Sequence, residues 1–259
     1  MGNSNIAIGT SALGSDTKGS RTVAIGLSAL ATQNFTSATD TYNTAVGYSA
    51  GNLVTTGIQN TLIGGLAGDA ITTGSYNNAF GHQSLSTTTT GEQNSAFGRY
   101  SLNLNTTGSE NTAVGNHALN SNTTADNNTA VGYFALYANT TGAQNTAVGT
   151  SALDANTTAS STTADNNTAV GYYSLYANTT GTRNNALGNL ALTANTTGDN
   201  NLALGSQALQ ANTTADNNTA VGYATLNVNT TGTANIAVGK SALLANTTAN
   251  YNTAVGYHS

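Results

Sequence analysis

The strongest constraint on this chain is a phrase. "NTAVGYFALYANTTGAQ" occupies residues 128–144, and Asn145 begins it again as "NTAVGTSALDANTTA". With the glycine of each "AVG" as a ruler, fifteen copies are marked by Gly9, Gly26, Gly47, Gly64, Gly81, Gly98, Gly115, Gly132, Gly149, Gly171, Gly188, Gly205, Gly222, Gly239 and Gly256. Twelve of the fourteen intervals are 17 residues, and the other two are 21 and 22. Each copy is numbered here from the residue four places before its glycine, which is position five. Position one is Asn in fourteen copies, with Thr22 the exception, and position three is Ala in fourteen, with Leu62 the exception. Position four is always Ile, Val, Leu or Phe. Position nine is Leu in twelve of fourteen copies, replaced by Gly51 and Gly68. A fixed short period of this kind means stacked units, because one unit cannot bury a core alone.

Seventeen residues are too few for a pair of helices, and each copy is crowded with β-branched and turn residues. The expected fold is all-β: a parallel β-solenoid of about fifteen 17-residue coils, forming a single repeat domain over 1–259. Each coil is predicted to carry two short strands, "TAVGY" and the segment around "ALYA", with "NTTGAQ" as a wider turn. Both long intervals expand that turn, near 31–42 and 155–167, and insertions survive where a loop meets solvent, so the turn is expected to point outward. At about 4.8 Å per coil, the stack would extend on the order of 70 Å. The first-position asparagines (Asn111, Asn128, Asn145, Asn167, Asn184, Asn201, Asn218, Asn235) are predicted to form a structural ladder, each amide bonding to its copies above and below.

Strand alternation puts position three and the glycine on one side and positions two, four and six on the other. Position six includes Tyr48, His82, Arg99, Asn116, Thr150 and Lys240, so the small Ala and Gly are placed inside and position four outside, with Leu filling the second wall. An outward apolar stripe of roughly 700 Å² exceeds what a soluble monomer ordinarily exposes. The expectation is therefore a homotrimer packed through that stripe; the alternative is a monomer with valine inside.

Composition narrows the partners. Charged residues are 6 per cent, net charge is −5, and proline and cysteine are absent. Without cysteine there is neither a disulfide framework nor a thiolate metal site. Lys18, Arg21, Arg99, Arg183 and Lys240 are scattered and make no track for a phosphate backbone, so no nucleic acid is expected. No apolar run approaches the roughly 20 residues that span a bilayer, and "MGNSNIAIG" has no signal-peptide pattern; the chain is read as not membrane-inserted.

The phrase "NTAVGYxALxxNTTG" resembles the head repeats of YadA-like trimeric autotransporter adhesins and similar repeats in bacteriophage tail fibres, and the likeness runs from about Asn5 to Ser259. It implies a left-handed β-roll assembled as a trimer that holds a binding surface away from a bacterial cell or virion. Localisation would then be extracellular. The family's usual coil is shorter. Its stalk and anchor barrel do not occur in this sequence, so a fragment of a longer fibre, or a subunit joining others end to end, is expected.

No enzymatic activity, cofactor or metal site is predicted. His82, His117 and His258 lie in distant copies; Asp126, Asp165 and Asp216 share a repeat position but sit at least two copies apart; "GGLAGD" at 64–69 is a degenerate copy rather than a phosphate loop. The ligand-binding candidates are tyrosines: Tyr133, Tyr172, Tyr223 and Tyr257 follow the ruler glycine, while Tyr137 and Tyr176 follow the leucine. Exposed rings of this kind stack on sugar faces, so a cell-surface glycan or protein receptor is the expected partner. Covering joints between coils or subunits is the structural alternative. Thirteen "NxT" sequons, nine of them "NTT", would invite glycosylation in a secreted host protein. A self-assembling filament and an ice-binding solenoid are the remaining alternatives for function.

Overall fold

A computed structural model describes residues 2–157 and 165–259. The chain divides into two compact units, Met1–Asn127 and Asn128–Ser259. In the first, the strands Ile6–Ile8, Val23–Ile25, Thr44–Val46, Thr61–Ile63, Asn78–Phe80, Ser95–Phe97 and Thr112–Val114 pair in parallel, each with the next. In the second, Thr129–Val131, Thr146–Val148, Thr168–Val170, Asn185–Leu187, Leu202–Leu204, Thr219–Val221, Ile236–Val238 and Thr253–Val255 do the same. Within each unit the strand residues pair with their counterparts in the next copy, Ala130 with Ala147 and Ala147 with Ala169, so the chain is an all-β parallel β-solenoid whose coils are the sequence copies.

Among the described residues the predicted second strand is not there. Positions five to twelve run as two successive turns, closed in one copy by Ala135 N–H to Gly132 O at 3.3 Å and Asn139 N–H to Leu136 O at 3.4 Å. Positions seven, nine and seventeen adopt left-handed backbone, as in Phe134 (φ 56°), Leu136 (φ 54°) and Gln144 (φ 60°). Such residues cost about 1–2 kcal/mol each. The coils offset this by hydrogen bonds in alternating directions: Ser151 N–H donates back to Tyr133 O, while Leu136 N–H donates forward to Ala152 O. Periodicity cannot separate a strand from a turn that repeats once per coil, since both place the same residue in the same column.

Inside the coil lie position-three alanines, position-eight alanines or serines, and the leucines, all fully buried in most copies. Position four faces out and is half-exposed, as in Leu187, Leu204 and Val238. The interior is also polar. Asn184 donates its amide to Gly198 O (2.7 Å) in its own coil, and its Oδ1 accepts the backbone N–H of Asn201 (3.0 Å) in the next. The first-position ladder therefore runs through side chain and backbone, more than from amide to amide. Asn111, Asn128, Asn145, Asn167, Asn184, Asn201, Asn218 and Asn235 are all buried.

A second ladder corrects the reading of the Thr-rich turn as outward in one respect, while its second threonine, as at Thr197, and the inserted Thr36, Ser37 and Ala38 are exposed. The Asn of each "NTT" points inward: Asn195 donates to Asn178 Oδ1 (2.9 Å) and Gly198 O (3.0 Å), and its own Oδ1 accepts from Asn212 (2.8 Å). One carbonyl, Gly198 O, thus takes two amides and ties both ends of the turn to one point. Each buried amide is satisfied, as low dielectric surroundings require.

Where a copy departs from the phrase, the interior compensates. Gly51 and Gly68 replace leucine, and their missing side chains leave room that Leu62 fills: a Cβ at Gly51 would lie 2.7 Å from Leu62 Cδ1, and one at Gly68 2.7 Å from Leu62 Cδ2. Val54 and Ile71 stand in the second ladder's place in those copies and are fully buried. Likewise the shorter Thr22 is met by a longer Gln33, which donates to Thr22 Oγ1 (3.2 Å) and accepts from Asn43 (2.8 Å). In the first insertion Gln33 and Phe35 are buried while Thr36, Ser37 and Ala38 are exposed, and Gly19–Ser20 pairs with Thr39–Asp40 in a small parallel sheet. Within the second insertion, 158–164 lie outside the described residues. At its end the side chain of Asp165 turns inward, where Oδ2 accepts from Asn145 (3.1 Å) and Asn156 (2.7 Å). A carboxylate oxygen there does the work of the doubly accepting carbonyl in other coils.

Candidate functional site

The ruler glycine sets the surface geometry. Gly132 has φ +136°, and the left-handed turn at Phe134 follows it, so the chain folds back and positions six, seven and ten emerge together. In the coil of Gly132 these are Tyr133, Phe134 and Tyr137, with ring centroids 4.4 Å and 4.6 Å apart in succession. In the coil of Gly171 they are Tyr172, Tyr173 and Tyr176, at 4.4 Å and 4.7 Å. The coil between carries Thr150, Ser151 and Asp154 in the same columns. Backbone bonds fix the alignment: Ser151 N–H donates to Tyr133 O (2.9 Å), Tyr173 N–H to Thr150 O (3.1 Å), and Ala155 N–H to Tyr176 O (3.1 Å). Two aromatic walls, two coil rises or about 10 Å apart, thus flank a trough floored by small polar groups.

Asp154 gives the trough its charge. Burial lifts its pKa above the ordinary carboxylate value, and a hydrogen bond with Ser151 pulls part of the way back. The physical reason is a carboxylate drawn partly out of water with a hydroxyl for company.

The predicted residues separate into two groups. Tyr133, Tyr137, Tyr172 and Tyr176 form the two walls, with Tyr133 and Tyr172 about half exposed at 55% and 53%. Tyr223 and Tyr257 lie in another triplet of coils, with Lys240 between them at position six: its Nζ is 5.9 Å from the Tyr223 ring and 5.5 Å from the Tyr257 ring. Phe134, Tyr173 and Asp154 complete the walls and floor and were missed. Column bookkeeping would have found them, because residues 17 or 22 apart in this sequence are neighbours.

The first unit carries aromatic columns of its own. His82 at position six, and Tyr100 and His117 at position seven, pack over three successive coils with centroids 5.8 Å and 5.0 Å apart, so Tyr100 bridges two histidines that sequence separates. Arg99 lies over the Tyr100 ring at 4.4 Å, and burial together with that charge lowers the pKa of His117. Phe80 and Phe97 stack at 4.7 Å on the outer face of their strands. Arg21 pairs with Asp40 at 2.9 Å and sits over Tyr42.

Position sixteen accounts for the aspartate in two of the three "ADNN" copies, Asp126 and Asp216. Its side chain caps the backbone N–H of the preceding coil: Asp126 Oδ1 accepts from Ser109 (2.7 Å), Asp199 from Thr182 (2.7 Å) and Asp216 from Asp199 (2.7 Å). Asp199 and Asp216 are therefore neighbours in adjacent coils, a pair that considering Asp126, Asp165 and Asp216 alone overlooked. Among the described residues no three acidic or histidine side chains gather in a metal-binding group, and no helix is long and apolar enough to cross a membrane.

The threonines of "NTT" divide. The first donates its hydroxyl to the next coil, as Thr196 does to Thr213 O (3.0 Å), and the second, such as Thr197, is exposed. That leaves a single outward rank, where an ice-like lattice needs several. Eight of the nine "NTT" asparagines are buried; Asn246, in the last, is half-buried. The "NxT" asparagines at Asn34, Asn127, Asn166 and Asn217 are exposed.

No protein-family model matches this chain, and no curated protein matches it in sequence.

Proposed function

We propose that the chain is a non-enzymatic, extracellular fibre segment: a homotrimeric β-solenoid that spaces and presents a binding surface, in the manner of a bacterial surface adhesin head or a phage tail fibre. The observation that carries this reading is the position-four column. Val131, Val148, Val170, Leu187, Leu204, Val221 and Val238 stand in register on the outer face of one sheet, with Leu204 still 44% exposed. A ladder of aliphatic groups on a regular pitch suits burial against copies of itself, since every coil meets an equivalent coil in a rotationally symmetric assembly.

The regular backbone supports the non-enzymatic part of the reading. It sorts side chains into columns of like kind, whereas acid–base or nucleophilic chemistry needs unlike groups converging on one point. The aromatic walls are the presented surface, and a receptor at a cell surface is their partner. Sedimentation equilibrium at micromolar concentration tests the assembly: the expected particle has three times the 25.9 kDa chain mass, and Val221→Glu is expected to release monomers. A monomeric wild type would reject the reading.

A further inference from the structure

The walls have an internal reference. Around Lys240 the backbone repeats the bonds seen around Thr150: Ser241 N–H donates to Tyr223 O (2.9 Å) and His258 N–H to Lys240 O (3.1 Å), as Ser151 does to Tyr133 O (2.9 Å) and Tyr173 to Thr150 O (3.1 Å). The two triplets, Tyr223–Lys240–Tyr257 and Tyr133–Thr150–Tyr172, therefore share one arrangement of tyrosine, middle residue and tyrosine. In the first, the middle side chain delivers an ammonium within cation–π range of both rings, 5.9 Å and 5.5 Å away. In the second, the middle side chain is a threonine, too short and uncharged to fill that place.

Two further observations point the same way. Three of the chain's five basic side chains, Arg21, Arg99 and Lys240, rest over tyrosine rings, so a cation beside an exposed ring is a recurrent contact in this chain. The Thr150 coil alone of the two middle coils adds a carboxylate: Asp154, half-buried beside Ser151, stands between Tyr137 and Tyr176 in one column. At Lys240 the equivalent residue is Leu244. The coil that lacks its own cation thus holds an anion.

We propose that the trough between Tyr133 and Tyr172 receives the ammonium group of a lysine side chain on a partner protein, with Asp154 as its counter-charge. The proposal rests on the reading of this face as a presented binding surface and specifies what it grips. The ammonium lies between two ring faces, as that of Lys240 does, and the apolar stem of the incoming lysine lies along Phe134 and Tyr173.

The test is a titration of the full chain, carrying ¹³C-labelled tyrosine, with Nα-acetyl-lysine N-methylamide, followed by ring resonances. Saturable shifts are expected at Tyr133 and Tyr172, with affinity about fivefold or more above that of the neutral Nε-acetylated derivative. Thr150→Lys should abolish them by filling the trough from within, and Lys240→Thr should open a second, weaker site at Tyr223 and Tyr257. Absence of saturable shifts in the wild type, equal shifts from the neutral derivative, or undiminished binding in Thr150→Lys overturns the proposal. Choline binding while the lysine derivative does not overturns the lysine assignment in favour of a lipid headgroup. A trimer that fails to bind rejects this proposal alone, and a monomer that binds rejects the fibre reading alone.

Discussion

Leu62 is where the interior can be tested most sharply. It replaces the usual alanine, is fully buried, and fills the space left by two glycines, Gly51 below and Gly68 in its own coil. Leu→Ala at a buried site costs about 2–5 kcal/mol, and the upper half of that range applies where the walls cannot collapse. Here two of the flanking positions are glycines with no side chain to move into the void, so Leu62→Ala is expected to cost about 4 kcal/mol. Gly68→Leu alone should also destabilise, by about 1–3 kcal/mol, because its Cβ would already lie 2.7 Å from Leu62 Cδ2 and 2.8 Å from Ile71 Cδ1. The backbone itself is no obstacle: Gly68 has φ +57°, and the leucines at the same position of other coils sit at 49–54°. Together the two changes restore the usual alanine–leucine pair, and the double variant should recover at least half of the loss from Leu62→Ala. The coupling should be several times the ~0.5 kcal/mol expected of independent sites. Chemical denaturation followed by circular dichroism, with hydrogen exchange at the amides of 61–72 to localise the effect, reads this out. Additive losses would falsify the argument that one sequence departure compensates the other.

Three further outcomes follow from the same geometry. Gly188→Ala should destabilise by more than about 2 kcal/mol in thermal melts, since φ is +145° and the new methyl would lie 2.5 Å from Gly205 O; a change within about 0.5 kcal/mol, the ordinary range for surface substitutions, contradicts it. Asp165→Ala strips the shared acceptor from two buried amides, Asn145 and Asn156, and should cost about 2–3 kcal/mol, whereas Asp165→Asn keeps an acceptor oxygen and should cost less; equal losses in denaturation experiments would show that the oxygen is not what matters. Asp69 Oδ1 is buried without a partner, and burial lifts its pKa above the ordinary 3.8. A raised folded-state pKa favours the neutral acid, so stability is full below the unfolded value and falls as pH rises through the folded one. Asp69→Asn should therefore melt higher than wild type near neutrality and lose that advantage in acid; an advantage independent of pH would refute the sign.

Much was legible before any coordinates. The 17-residue period dictated a stacked solenoid because copies that cannot fold singly must bury their few apolar groups against one another. Ala at position three, with polar and charged residues at position six, settled which face of the strand turns in, since Arg99 or Lys240 could not be buried unpaired while alanine loses nothing inside. The period also carried the neighbour list of every column, so the walls built by Phe134 and Tyr173, and the floor at Asp154, were present in the sequence for anyone adding 17 or 22.

The tertiary structure decided matters that a period cannot express. Stacking alone makes a left-handed residue tolerable at positions seven, nine and seventeen, because its N–H then meets a carbonyl in the next or previous coil; composition around "ALYA" reads equally well as strand. Burial of the "NTT" asparagine is likewise a stacking outcome: its amide is satisfied only when Asn178, Asn195 and Asn212 lie one coil apart and Gly198 O is turned to meet two donors. An isolated copy would leave that amide to water and point it outward. The sequence by itself determined which residues become neighbours along the stack and which face of the strand turns in, and only the folded stack determined which way the turn residues face, because their direction is set by hydrogen bonds to coils that no single copy contains.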